Sequence, residues 1–219
     1  MSYRVVAISD THSYHSRIEE IPECDLFVCA GDITWRGEVS IIASFADWTK
    51  TLPAKRKVAV FGNHEVGLED PNCMNRKWAL KILTDAGIDY LQDSGIEIDG
   101  FKIWGSPYTP VFYSWQFMAD RGEDIGRHWA QIPDDTNILI THGPPNGILD
   151  SVEEVSRGPQ GCEMLAGRIK HLPNLKLSVF GHLHREGSRT LVKDGITFVN
   201  AAICTDNYAP INKPVVIDL

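Results

Sequence analysis

The chain has 219 residues, enough for one large α/β domain spanning 1–219. Hydrophobic residues at 43% and charged residues at 23% are ordinary for a globular protein with a sizeable core. A net charge of −8 with histidine neutral excludes the basic footprint expected of a stable nucleic-acid binder.

Along the chain one local pattern recurs. The segments VVAISDTH, LFVCAGD, VAVFGNHE, NILITHG and LSVFGHLH each start as a short apolar run and stop abruptly in polar residues or Gly. Each reads as a short buried strand. Helical patterns follow the second and third at 38–51 and 75–86. The latter carries Trp78, Ile82 and Leu83 at helical spacing, with Gly87 as a C-terminal stop. A stretch at roughly 105–122, around SPYTPVFYSWQFMADRGE, lacks periodicity; a long connection of this kind is typically a functional loop or lid. A short helix is expected at 123–131, before Pro133, and another at 160–171. SRTLVKDGITFVNAAIC then reads as two strands joined at Lys193-Asp194-Gly195, a hairpin signal, and KPVVIDL as a last strand.

The five cysteines are odd in number and form no C-x-x-C pair, which argues against a disulfide framework or a cysteine zinc site. Cys29, inside a strand pattern, reads as a small core residue. The N-terminus enters a strand without a leader pattern, and no apolar run approaches the roughly 18 residues of a spanning helix. A soluble, cytoplasmic protein with no membrane association is expected.

The strand ends carry the chemistry. Asp10 and His12 close the first, Asp32 the second, Asn63 and His64 the third, His142 the fourth, His182 and His184 the fifth. Ligands gather outside the carboxyl ends of strands in α/β sheets, so these residues converge on one rim, the layout of a binuclear metal centre. Alternate residues of an extended chain share a face, so Asp10 and His12 can chelate one ion. His182 and His184 repeat that spacing. Asp32 is the candidate bridging carboxylate, and Asn63 offers a neutral carbonyl oxygen. His64 can sit beside the metals without binding them. His15, His128 and His171 read as solvated or locally satisfied.

DxH, GD, GNHE, HG and GHxH, in this order, resemble the calcineurin-like metallophosphoesterase superfamily over nearly the whole chain. THGPPNGILD, GCEMLAGRI and NYAPINKPVVIDL are similar to the branch of metallophosphoesterase-domain brain proteins and their bacterial relatives. The resemblance implies a four-layer α/β/β/α sandwich with a dinuclear site at the strand ends. Asp10, His12, Asp32 and His184 would hold one ion; Asp32, Asn63, His142 and His182 the other; His64 would be the catalytic histidine outside the metal shell. Two divalent or trivalent transition ions are implied. Manganese is the expected ion in vitro, with iron, zinc, cobalt and nickel as alternatives.

Such a site would be expected to hydrolyse phosphoesters by in-line attack of a metal-bridging hydroxide, with His64 protonating or stabilising the departing oxygen. Glu65 and Asp70 are both candidates to orient His64. The aromatic residues of 105–122 include Tyr108 and Trp115, either a stacking platform for a nucleobase or the filling of a satellite core. The expected activity is a phosphodiesterase for small diesters, with nucleotides, cyclic ones included, ahead of other substrates. A phosphomonoesterase, a phosphoprotein phosphatase and a nuclease remain alternatives, as does a metal-stabilised interaction module of another class. Arg36, Arg157 and Arg185 lie near the motifs, and the oligomeric state is not legible.

Overall fold

The computed structural model describes residues 2–152 and 160–219. Four parallel strands, β1 (Arg4–Ile8), β2 (Cys24–Cys29), β3 (Ala54–Ala59) and β4 (Ile88–Tyr90), form one sheet. A second sheet contains β5 (Ser94–Ile98), β6 (Phe101–Ser106), β9 (Ile138–Thr141), β10 (Leu177–Phe180), β11 (Arg189–Lys193) and β12 (Ile196–Asn200), in the order β11-β12-β10-β9-β6-β5. The last strand, β13 (Val215–Asp218), returns to the first sheet and pairs antiparallel with β1. Within the loop after β6, β7 (Thr109–Pro110) and β8 (Met118–Ala119) make a small ladder where no regular structure was expected.

The helices α1 (Val39–Lys50), α3 (Glu123–Trp129) and α4 (Glu163–Ile169) fall within their expected spans, and α2 (Met74–Asp85) starts and ends one residue before its own. Strand alternation divides the apolar residues among three cores. Val5, Ala7, Leu26, Val28, Val58, Ile138, Ile140, Leu177 and Val179 pack between the sheets. Their neighbours Val6, Ile8, Phe27, Cys29 and Ala59 point the other way, onto Ile42, Phe45, Ala79 and Leu83 of α1 and α2. Leu139, Phe180 and Phe198 meet Ile125, Trp129, Leu165 and Ile169 of α3 and α4. Three cores separate four layers, so the fold is the expected α/β/β/α sandwich.

One expected core contact is displaced. Trp78 is 54% exposed, and the buried face of α2 runs through Ala79 and Leu83 instead. A one-residue shift turns a helix by about 100° and exposes the tryptophan. Gly87, at φ +73, follows the helix end as expected. The hairpin turn is also as read: Lys193 pairs with Ile196, and Asp194 and Gly195 have φ of +51 and +78. Positive φ at both central residues fits the type I′ turn favoured between twisted strands.

Candidate metal centre and active site

All five motif strands end at the same edge, three in one sheet and two in the other. Residues 10, 12, 32 and 63 leave the first sheet and residues 142, 182 and 184 the second. The two groups meet over the seam. Asp10, His12, His142 and Asp32 are buried, and the backbone at Asp10, His12, Asp32 and His182 takes positive φ of 52, 40, 51 and 66. Asp and His tolerate this left-handed region better than most residues, and here it turns their side chains inward. Close approach is made possible by glycine. A Cβ on Gly181 would overlap the Asp10 carboxylate and Ser9, and one on Gly62 would overlap Asp32 and the His142 ring.

Two donor groups result. Asp10, His12 and His184 place ligand atoms within 4.8 Å of one another, as do Asp32, His142 and His182. Asp32 links them: its Oδ2 lies 3.9 Å from His12 Nε2 and 3.3 Å from His142 Nε2. Its other oxygen accepts the His64 backbone N–H at 2.8 Å. Asn63 Oδ1 is 2.9 Å from His142 Nε2 and completes the second group. Asp10, His12 and His184 thus fall in one donor group, Asp32, His142 and His182 in another, and His12 and Asp32 also group with His64.

The hydrogen bonds leave these atoms poised for cations. His184 Nδ1 and the Thr205 carbonyl are 3.0 Å apart, so a neutral ring turns its Nε2 lone pair inward. That nitrogen meets His12 Nε2 at 3.2 Å and Asp10 Oδ1 at 3.3 Å. Asp10 Oδ1 is buried and has no hydrogen-bond donor. His142 Nδ1 is 2.8 Å from the Ala30 carbonyl, which aims its Nε2 at Asn63 and Asp32. Acceptors facing acceptors in a buried site are satisfied by bound cations. Mixed imidazole, carboxylate and carbonyl donors suit transition metals better than an all-oxygen shell would.

Without ions, charge balance falls to protons. Burial opposes the charged form of His142, but the Asp32 carboxylate outweighs it and raises the pKa to about 9. Burial likewise opposes ionisation of Asp10, yet the neighbouring His184 imidazole holds it at about 2. Asp32 is depressed further, chiefly through His142, against its own burial. Burial pushes His12 down to about 4 and His182 down to about 3, so both present neutral lone pairs.

His64 also lies in the cluster, close enough to His12 and Asp32 to join a third donor group. Its Nδ1 is 2.9 Å from the Trp35 carbonyl. Neither Glu65 nor Asp70 orients it. Glu65 instead accepts the backbone N–H groups of Asp32, Thr34 and Gly62 at 3.1, 2.9 and 2.7 Å, and the Thr34 hydroxyl at 3.1 Å. Burial and the Asp32 carboxylate push its pKa up to about 8, against the pull of the Thr34 and Gly62 amides. Asp70 accepts the Asn72 amide, outside the site.

Above the ligands opens a cavity of about 600 Å³, lined by Asp32, Asn63, His64, His182 and His184 at its base. Val111, Phe112, Tyr113 and Trp115 form one wall; Arg185, Asp206 and Tyr208 lie among its other lining residues. The expected aromatic residues therefore divide. Trp115 lines the cavity, whereas Tyr108 is not among its lining residues and stacks on His128 at 3.7 Å, packed against two of the cores. Phe117 is fully buried beside Phe61. Arg36 lies over the Trp115 ring at 5.5 Å, and Arg157 falls outside the described residues. His128 is held by Asp93 at 2.7 Å, and His15 is buried with its Nε2 on Ser44.

Trp35 and Tyr208 are site residues the sequence reading passed over. Their rings lie 5.0 and 4.9 Å from that of His12. Trp35 follows the GD motif closely, and Tyr208 lies in coil within NYAPINKPVVIDL, where no strand end marks it as a site residue.

A four-layer α/β sandwich with Asp, Asn and His ligands shared across its seam defines a metal-dependent phosphoester hydrolase. The calcineurin-like phosphoesterase family profile matches residues 3–186, and the chain belongs to that family. It is 37% identical to metallophosphoesterase domain-containing protein 1 of Homo sapiens, over 99% of this chain and 71% of that one. A UPF0046 protein of Caenorhabditis elegans is 35% identical, over 97% of this chain and 74% of that one. Among solved structures, the phosphopantetheinyl hydrolase of Mycobacterium tuberculosis shares the fold at a TM-score of 0.61 and 17% identity, covering 98% of this chain and 96% of its own. A 5′-nucleotidase assignment accompanies a Staphylococcus aureus structure with a TM-score of 0.56 and 12% identity, covering 100% of this chain and 54% of that one. The family typically binds two divalent metals, and the two donor groups are able to hold them. Among the described residues, no helix is long and apolar enough to cross a membrane.

Proposed function

We propose that the protein is a phosphodiesterase for small diesters, with nucleotides, cyclic ones included, as the favoured class and manganese as the activating ion in vitro. The observation that carries this reading is the cavity. Its volume of about 600 Å³ suits a nucleotide-sized molecule rather than an extended phosphopeptide. Phe112, Tyr113 and Tyr208 supply aromatic surface beside the metal ligands, suited to a base or another flat group.

Asp10, His12, Asp32 and His184 would hold one ion, and Asp32, Asn63, His142 and His182 the other. Two bound cations supply Lewis-acid charge to the phosphoryl oxygens and lower the pKa of water. The chain itself supplies orientation and proton transfer. With Nδ1–H of His64 donated to the Trp35 carbonyl, Nε2 is the ring nitrogen left to carry a second proton and give it to the departing oxygen. Arg185, at the cavity wall and without an ion-pair partner among the described residues, can meet phosphate charge.

The test is a metal-by-substrate matrix of 2′,3′- and 3′,5′-cyclic nucleotides, aryl diesters, aryl monoesters and a phosphopeptide. Diesters are expected to show the highest kcat/KM with manganese. Monoesters turning over faster with every metal would overturn the diesterase reading. Turnover that is absent with all metals would favour an interaction module.

A further inference from the structure

His64 is gripped from two directions. The Trp35 carbonyl holds its Nδ1, and the Trp115 indole lies flat on its ring, with centroids 4.2 Å apart and an interplanar angle of 26°. The other aromatic rings near His64, those of His12, Trp35 and Tyr208, meet it at 77°, 66° and 62°. Trp115 is thus the stacked partner, and Arg36 in turn lies over Trp115 at 5.5 Å. The loop that carries Trp115 is tied to the same motif: the Gln116 N–H reaches the Asn63 carbonyl at 3.4 Å, and the Phe117 N–H reaches Glu69 at 3.0 Å.

We infer that Trp115 is a positioning residue for His64: its indole fixes the imidazole plane so that Nε2 is presented to the cavity. A hydrogen bond at Nδ1 leaves the ring free to swing about the Nδ1···O axis, and a flat neighbour removes that freedom. Trp115 acts through His64 rather than on the substrate, and the face it spends on the imidazole is closed to a nucleobase. The inference rests on the reading of His64 as proton donor and is tested so that the two can fail separately.

The experiment compares Trp115→Leu, Trp115→Phe, His64→Ala and the double variant His64→Ala with Trp115→Leu, using diesters of graded leaving-group pKa. Trp115→Leu is expected to lower kcat about tenfold for alkoxide leaving groups and little for p-nitrophenolate, with KM nearly unchanged. Trp115→Phe is expected to recover most of the loss, since a phenyl ring still stacks. The double variant is expected to fall no further than His64→Ala alone, because a residue acting through His64 has nothing left to position. Multiplicative losses in the double variant, or a raised KM for nucleotide diesters with kcat intact, would overturn the inference. A second readout is independent of turnover. In zinc-loaded protein the ring protons of His64 are expected to be shifted upfield by the indole, and Trp115→Leu to remove that shift. An unmoved His64 resonance overturns the stack itself. A His64→Ala loss that is flat across leaving groups overturns the proton-donor reading and the catalytic consequence together, while the shift still reports whether Trp115 holds the ring.

Discussion

His12 Nε2 and His184 Nε2 face each other at 3.2 Å although 172 residues separate them in the chain. One follows the first strand of the five-stranded sheet and the other the middle of the six-stranded sheet. The Thr205 carbonyl facing His184 Nδ1 leaves the Nε2 lone pair of a neutral His184 aimed at His12, and an ion held there would be shared by both sheets.

Replacing His184 with Ala is therefore expected to weaken one ion, and replacing His182 with Ala the other, since the two fall in separate donor groups. Manganese titrations of activity would show one weakened step in each variant, and the steps would differ. Superimposable curves would mean the two histidines serve a single ion.

Asp32→Ala is expected to lose both ions, because its Oδ2 faces ligands of both groups and its charge offsets part of theirs. Elemental analysis after purification decides this. Two equivalents of metal in the variant would remove Asp32 from the bridging position.

Glu65→Ala is expected to destabilise the fold by about 3–5 kcal/mol, since three buried backbone N–H groups lose their acceptor at once. Chemical denaturation of metal-free protein measures the stability loss without interference from ion binding. A loss under 1 kcal/mol would show that water replaces the carboxylate readily.

The His15 ring is buried against Phe45 and Trp48, and burial lowers its pKa below the usual value. The unfolded chain therefore takes up this proton at a higher pH than the folded one. Stability from His15 is complete above the unfolded value of about 6.5 and is lost as pH falls through the lower folded value. Denaturation midpoints of the native chain are expected to drop across that window, and those of His15→Phe to drop less. Parallel curves would show that His15 titrates alike in both states.

What the sequence revealed follows from what residue types encode. Asp10, His12, Asp32, Asn63, His142, His182 and His184 were legible because each ends a strand whose burial its apolar run announces. Their joint position then followed from α/β topology. The partner of His64 was not legible, because it is the Trp35 carbonyl, and every residue carries a carbonyl whose direction depends on backbone dihedrals. Glu65 stood in plain view within GNHE, yet its work on three loop amides appears only when it is folded against Asp32 and Thr34, 33 and 31 residues away. The aromatic loop stayed open between platform and core, because composition does not say which ring turns inward; packing sends Tyr108 and Phe117 inward, Trp115 onto His64, and Phe112 and Tyr113 to the cavity lining.

The seam between the sheets gives the ions a second consequence. Asp10 and His12 come from one half of the chain and His184 from the other; Asp32 and Asn63 are likewise separated from His142 and His182. Neither half can assemble a complete donor set, so affinity for either cation exists only once the halves have docked. Cation supply thus becomes a term in the docking equilibrium, favouring closed over separated halves by mass action. A cell short of the proper metal would hold a chain whose halves part more readily, and scarcity would be felt as shortened lifetime as well as idle enzyme.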